Sequence, residues 1–529
     1  MATRGKVDGR DVSSGVELAE VVASIALASD LSIGQSLDHI LRSCVIATRF
    51  AEHLGLTQVE RDSAYWVTLF MVAGCTGTSF ELSSVVGDDI SFRAEMFGLT
   101  SNFEFLRLIL GRVGSGRGLV ERTKMRADLL RTKMRALEEA FLAHCAVSQR
   151  LAERVGLGSP VTDALAQTFA RYDGKGIPKG LGGDDILPAI AIAEIAHDSA
   201  WHVNHGGADA TIDAARKFSG KFYSPALVDA WCGAAGEILA GISEESTWDQ
   251  VISSQPLGRG PLTEAELDDA LELIADFADL KSPWFAGHSR AVASLAVAAG
   301  RHAGLPEPDL VSLRRSALVH DIGRNGVPNS IWDKPGPLTE GEMERVRLHA
   351  YYTDRVLRRS DRLAALATVA SAAHERTAGS GYPRGIAGQT IPLLGRFLEP
   401  ADVYEAMLED RPHRPARSRD EAAAELRRAA VAGEMDGSAV DAVLAAAGHT
   451  PRRKPTAPAG LTPRELEVLV LAARGGTTRA VASKLGIAPK TAGNHLEKIY
   501  SKIGVSSRAE AAMYAMQHGL IPSWETSEA

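Results

Sequence analysis

Cysteine is scarce: four residues in 529 (Cys44, Cys75, Cys145 and Cys232), none in a CxxC pair. That excludes a disulfide framework and a cysteine-held zinc, and it points to a reducing compartment. Aromatic residues make up only 6% of the chain, which argues against a β-sandwich, while abundant Ala, Leu and Val favour helices. No run of about 18 uncharged apolar residues occurs, and the N-terminal MATRGKVDGRD lacks the apolar segment of a secretion signal. The expectation is a cytoplasmic protein with no membrane partner. Positive charge is in deficit, with 58 Lys+Arg against 66 Asp+Glu and a net charge of −8. The balance argues against nucleic-acid binding by the whole chain but leaves room for one basic domain. At 45% hydrophobic and 23% charged, the chain has ample apolar surface to bury, which excludes disorder over most of its length.

The length implies about three or four domains. Residues 244–262 (EESTWDQVISSQPLGRGPL) read as a polar linker, and residues 450–459 (TPRRKPTAPA) as a semi-rigid, Pro-rich and basic tether. Thr263 and Glu266 have capping-box spacing ahead of an apolar stripe at Leu267, Ala270 and Leu271, so a helix starts where the first linker ends. Three units remain, at 15–243, 263–449 and 460–522, and most of their segments read at helical period.

The first two units repeat one another. GHSRAVASLAVAAGRHAGL, ending at Leu305, matches SLDHILRSCVIATRFAEHLGL, ending at Leu56, an offset of 249 that pairs His288 with His39 and Gly323 with Gly74. GSGYPRGIAG around Pro383 matches DGKGIPKGLGG around Pro178, an offset of 205 that pairs His349 with His144. The offsets differ by 44, which marks an insertion of that size in the first copy, within about residues 76–143. Two tandem copies of one helical domain are expected.

In the second copy, LVHDIGRNGVP sets His320 beside Asp321 near a helix end closed by Gly323. Adjacent helical side chains diverge by about 100°, so the pair can grip one centre from two sides; a carboxylate can bridge two cations, and imidazoles suit iron, manganese or zinc. His288, His349, His374 and Asp402 accompany the pair. The set, with the motifs HDIGxxGVPxxIWxKPGPLTxxE, GSGYPRGIAGQTIP and ADVYEAM, resembles the HD-GYP family of metal-dependent phosphohydrolases over about residues 285–447.

The resemblance implies a helical bundle holding divalent cations of iron or manganese type, and a cyclic dinucleotide or related phosphate ligand. It assigns His288, His320, Asp321 and Asp402 to one ion, with Asp321 bridging to a second held by His349 and His374. Asp321 and Arg324 would be the catalytic pair, Arg324 standing where the family usually has a phosphate-binding Lys. Gly381, Tyr382 and Pro383 would shape the substrate loop. The sequence departs from the family at Ala373, where a second His is usual, at Thr377 and Ala378 before the loop, and at Trp284, where three-metal members carry Glu. One firm site, a weaker second and no third are therefore expected.

The first copy has Met71 and Val72 in place of His320 and Asp321, Thr168 and Phe169 in place of Ala373 and His374, and His197 in place of Asp402. Apolar side chains cannot hold such cations, so this copy is expected to be a degenerate, non-enzymatic unit. Its insertion contains RTKMRADLLRTKMRA, which reads as one exposed basic helix.

The last unit carries the positive charge. Between Leu461 and Ile521 eight basic residues face four acidic ones, a net +4. Thr462 and Glu465 cap a first helix, a short second helix begins near Thr478, and a third begins near Pro489. Ala492, Leu496, Ile499 and Ile503 lie on the buried stripe of the third helix, with Lys490, Asn494, Glu497 and Ser501 opposite. LTPRELEVL, AVASKLGIAPKTAGNHLEKIYSKIGV and SRAEAA resemble the LuxR-type DNA-binding domain in order. That resemblance implies a four-helix module binding double-stranded DNA as a homodimer, with base readout at Gly493, Asn494 and Glu497. It puts Lys490, Thr491, Lys498 and Lys502 on phosphates.

Together these features describe an all-α chain, two tandem HD-type bundles followed by a LuxR-type helix-turn-helix. The expected function is a transcriptional regulator controlled by a metal-binding, nucleotide-sensing domain. The alternatives are a working phosphodiesterase that also binds DNA, and a purely structural pair of helical domains.

Overall fold

The computed structural model describes residues 15–99, 102–115, 118–131, 135–242, 246–256, 260–449, 458–518 and 520–521. Among them every regular element is helical, and the only β-type pairings are isolated bridges. Local sequence starts many of these helices. Thr57 with Glu60, Thr263 with Glu266, Thr339 with Glu342, Ser418 with Glu421 and Thr462 with Glu465 all form reciprocal capping boxes.

The helix bounds recur along the chain. His39–His53 and His288–His302 share an offset of 249 (288 − 39), as do Gln58–Phe70 and Glu307–Val319. Ser159–Leu165 and Ala364–Ala370 share an offset of 205 (364 − 159), as do the 3-10 turns Gly183–Asp185 and Gly388–Thr390. The cis bonds Ile177–Pro178 and Tyr382–Pro383 obey the second offset too. Glycine is required at the same place in each unit. A Cβ on Gly323 would fall 2.0 Å from the His349 carbonyl oxygen, and one on Gly74 2.1 Å from that of His144. Buried acids recur as well: Asp30 accepts from the Ile40 amide at 3.1 Å, and Asp279 from the Ser289 amide at 3.0 Å.

The two units share one apolar core. Helix Leu18–Ser32 is hydrophobic on nearly all sides, and it lies buried between the first unit and the turn Ile322–Gly326. Within it, buried Glu20 pairs with Arg362 at 2.7 Å and accepts from the Ser360 hydroxyl at 2.7 Å, both in the second unit. Another buried tie leaves the insertion. Asp89 meets Lys281 and Arg93 at 3.0 Å each and accepts from the Asn329 amide at 2.8 Å, with Asp89 and Lys281 fully buried.

Two expectations need adjustment. The segment 244–262 is not an open linker: Thr247–Ser253 is a helix with Trp248 and Val251 buried, because apolar residues at i, i+3 and i+4 give it a face to pack. The basic repeat of the insertion falls on two helices, Leu119–Arg131 and Arg135–Arg154, with Lys133 outside the described residues. The tether, through residue 457, also lies outside the described residues. No single described helix is long and apolar enough to cross a membrane.

Candidate metal centre and DNA module

The six His and Asp residues come from separate elements and converge. His288 opens its helix, His320 and Asp321 stand at the turn after Glu307–Val319, His349 lies within Glu340–Leu357, His374 follows Ala364–Ala370, and Asp402 is inside Leu393–Leu408. Ligand atoms of His288, His320, Asp321 and Asp402 all lie within 4.8 Å of one another, and so do those of Asp321, His349 and His374. Asp321 belongs to both groups. Its Oδ2 is 2.9 Å from His320 Nε2 and 3.6 Å from His288 Nε2, while Oδ1 is 3.5 Å from His349 Nε2. Asp402 likewise touches His288 Nε2 at 3.0 Å and His374 Nδ1 at 3.3 Å.

The protons point away from the centre. Nδ1 of His320 donates to the Ala317 carbonyl at 2.7 Å, Nδ1 of His349 to that of Val346 at 2.5 Å, and Nδ1 of His288 to Glu409 Oε1 at 3.0 Å. These partners only accept, so each Nε2 can turn a lone pair inward, the arrangement that orients imidazole ligands of metals. Asp321 Oδ1 is buried without a hydrogen-bond partner, while Oδ2 and His320 Nε2 meet their neighbours in ion-pair contact without hydrogen-bond geometry. Buried orphans of this kind cost free energy unless a cation satisfies them, so the residues fit a divalent ion.

Burial would raise the Asp321 carboxyl, but the Arg324 guanidinium and His320 outweigh it and hold it well below the usual carboxylate range. Burial would lower His288 and His320, yet neighbouring carboxylates lift them to about 9 and about 10, so a cation must displace a proton from each ring to bind there. Burial and then His349 push His374 down to about 3.

Arg324 is not at the mouth of the site. It is buried, with Nη2 2.5 Å from Asp321 Oδ2 and its guanidinium over the Phe285 ring at 4.2 Å. The loop residues are near: the Tyr382 ring stacks on His374 at 5.0 Å, and a Cβ on Gly381 would stand 2.3 Å from the Arg376 amide nitrogen. Ala373 is fully buried in the apolar core. Two acids escaped the sequence reading. Glu409 orients His288, and fully buried Glu375 accepts from the Arg384 and Ile386 amides at 2.8 and 3.0 Å, which anchors the loop after Pro383. The position of Glu375 directly after His374 was a usable signal; Glu409 had none.

The corresponding place in the first unit is filled differently. His39 Nε2 lies 3.1 Å from His197 Nδ1 with the Phe97 ring against both, and His144 Nε2 donates to the Met71 carbonyl beside the Phe169 ring.

In the last unit, Pro463–Ala473, Thr478–Lys484, Pro489–Ile503 and Arg508–Gln517 form the four helices, and Gly504 (φ 68°) ends the third. Lys490, Thr491, Asn494, Glu497 and Lys498 are exposed, and Gly493 is half-buried. Lys502 is also exposed, but its Nζ binds Glu465 at 2.7 Å and the Gly460 carbonyl at 3.3 Å. It braces the module's own first helix instead of standing free for phosphate. The fourth helix packs against Arg135–Arg154 and Glu264–Asp279, so the module is docked on both preceding units.

Comparison with known proteins follows this division. Residues 272–438 match the HD domain family, and residues 459–515 match the luxR family of bacterial regulatory proteins. The chain is 29% identical over 413 residues to 3'3'-cGAMP-specific phosphodiesterase 3 of Vibrio cholerae, covering 77% of this chain and 90% of that protein. It is 41% identical over 128 residues to a cyclic di-GMP phosphodiesterase of Pseudomonas aeruginosa, covering 24% of this chain and 31% of that one. The crystal structure of a cyclic GMP-AMP specific phosphodiesterase of V. cholerae superposes with a TM-score of 0.58 at 26% identity, covering 83% of this chain and 99% of that one. The chain is therefore an HD-domain protein related to HD-GYP cGAMP phosphodiesterases and carrying a C-terminal LuxR-type helix-turn-helix domain.

Proposed function

We propose that the protein is a transcriptional regulator in which the HD unit binds divalent metal and a nucleotide-type ligand and thereby controls a dimerising DNA module. The observation that carries this reading is the coexistence of two features in one chain. One is a buried His/Asp cluster whose ligand atoms converge; the other is a helix-turn-helix with an exposed polar recognition face. His288, His320, Asp321 and Asp402 would hold one ion of iron or manganese type, and Asp321, His349 and His374 a weaker second. The first unit, 15–243, would be a degenerate copy of 263–449, as the recurring helix bounds support, and it serves as a scaffold. Its lack of a comparable ligand cluster among the described residues fits that role.

A second reading has its own support. The relatives are cyclic dinucleotide phosphodiesterases, and one of them matches over most of its length. Bound cations would supply Lewis acidity and lower the pKa of a water. The chain's part would be to fix the imidazoles through Ala317, Val346 and Glu409, and to hold the loop at Tyr382 through Glu375. Elemental analysis with DNA binding tests the first reading: a chain without metal, or without DNA affinity at low salt, refutes it. Hydrolysis of 3'3'-cGAMP or cyclic di-GMP at enzymatic rates would establish the second.

A further inference from the structure

The candidate metal centre and the DNA module meet at the short segment 283–288, which carries the Phe285 ring. Phe285 is buried, and two guanidinium groups lie over it, Arg324 at 4.2 Å and Arg411 at 4.8 Å. Each guanidinium is tied to a different part of the centre. Arg324 pairs with Asp321, the carboxylate common to both ligand groups. Arg411 pairs with Glu409 at 2.6 Å, and Glu409 accepts from His288 Nδ1. Arg411 also donates to the Trp284 carbonyl at 2.9 Å, so the same cation grips the backbone next to the ring.

The other side of this segment is where the DNA module sits. A Cβ on Gly475, in the turn between the module's first two helices, would lie 3.1 Å from Pro283 Cβ and 3.5 Å from the Trp284 ring. A Cβ on Gly287, the residue before His288, would lie 3.2 Å from the Ile521 carbonyl oxygen at the module's end. Lys484 of the module faces Asp410, next to Glu409, at 3.6 Å. Ala509, at the start of the fourth helix, completes the seat against Gly77 of the first unit, where a Cβ on the glycine would lie 3.5 Å from Ala509 Cβ.

We infer that residues 283–288, with Phe285 held between Arg324 and Arg411, form a relay by which occupation of the metal centre loosens the docked DNA module. The inference rests on the metal-site reading above. A cation on Asp321 competes with Arg324 for the carboxylate, and one on His288 draws on the Glu409–Arg411 pair. Both guanidinium groups over Phe285 then lose part of their anchorage, and the cation–π contacts that hold the ring weaken with them. By linkage, whatever metal does to docking, docking must do to metal affinity by the same factor.

The test uses the full chain with Mn²⁺ or with chelator, and reads amide exchange over residues 508–517 beside a Mn²⁺ titration. Exchange in the unmodified chain is expected to rise at least about fivefold on Mn²⁺ binding, the lower end of ordinary allosteric coupling. Phe285→Leu keeps an apolar side chain, slightly smaller, but removes the ring; it should still take up Mn²⁺ while exchange no longer responds. Ala509→Glu, at a partly exposed seat of the module, should raise exchange without metal and tighten Mn²⁺ binding by the factor that Mn²⁺ exerts on docking. Unchanged exchange despite bound Mn²⁺, an equal response in Phe285→Leu, or an unaltered Mn²⁺ affinity in an undocked Ala509→Glu chain would each overturn the relay. Failure of the unmodified chain to bind metal refutes instead the metal-site reading on which the relay stands.

Discussion

His349 and His374 face each other with their Nε2 atoms 2.7 Å apart. The Nδ1 proton of His349 is taken by the Val346 carbonyl, and His374 Nδ1 faces Asp402 Oδ2 at 3.3 Å. Burial lowers the pKa of both rings. At this distance one Nε2–H donates to the other ring, and a cation that displaced that proton would meet two neutral imidazoles. Beside them Ala373 offers no further ligand and is packed into the core.

Occupancy of this second position should therefore be substoichiometric. Ala373→His is expected to raise it, with a loss of about 1–3 kcal/mol of stability because the new ring must enter a packed core. Metal titration and thermal denaturation of the two proteins check both halves. Full two-metal occupancy in the unmodified chain would contradict the expectation.

Asp321→Ala should abolish most metal binding, since this carboxylate is common to both ligand groups. His144→Ala should leave metal content unchanged, because His144 is spent on the Met71 carbonyl and the Phe169 ring. Elemental analysis of the two variants side by side decides this; equal losses would mean that the two units share a site.

Glu409→Gln keeps the size of the side chain but removes the charge that orients His288. Support residues of this type typically contribute about 10–100-fold to metal affinity. The first ion should weaken within that range, read by competition with a chelator. An unchanged affinity would show that His288 needs no such partner.

DNA binding should fall steeply with salt, because counterion release dominates such affinity. Lys490→Ala should weaken all sequences alike, and Asn494→Ala should relax preference at particular bases. Lys502→Ala should change the salt dependence much less than Lys490→Ala, since Lys502 is paired with Glu465. Titrations at several salt concentrations separate them, and equal slopes for the two lysine variants would return Lys502 to the phosphate contacts.

Much of this protein was written locally. Capping boxes, apolar periods and glycines mark where helices start and stop, because such signals act within one or two turns. The motif around His320 and Asp321 and the recognition face from Lys490 to Lys498 are likewise short runs whose spacing already carries geometry. Tertiary structure alone decided how the pieces act on one another. Glu409 reaches His288 across 121 positions, and Asp89 reaches Lys281 across 192. No sequence period announces such pairs, because burial selects them only after the helices have packed. The same holds for Arg324, whose charge could have faced a ligand but is turned inward by Asp321 and Phe285. Lys502 is another case, claimed by a glutamate from a different helix. A side chain's type and local spacing determine what it can do; which partner it meets is set by the packing of distant segments, where desolvation makes an unpaired charge too costly to leave alone.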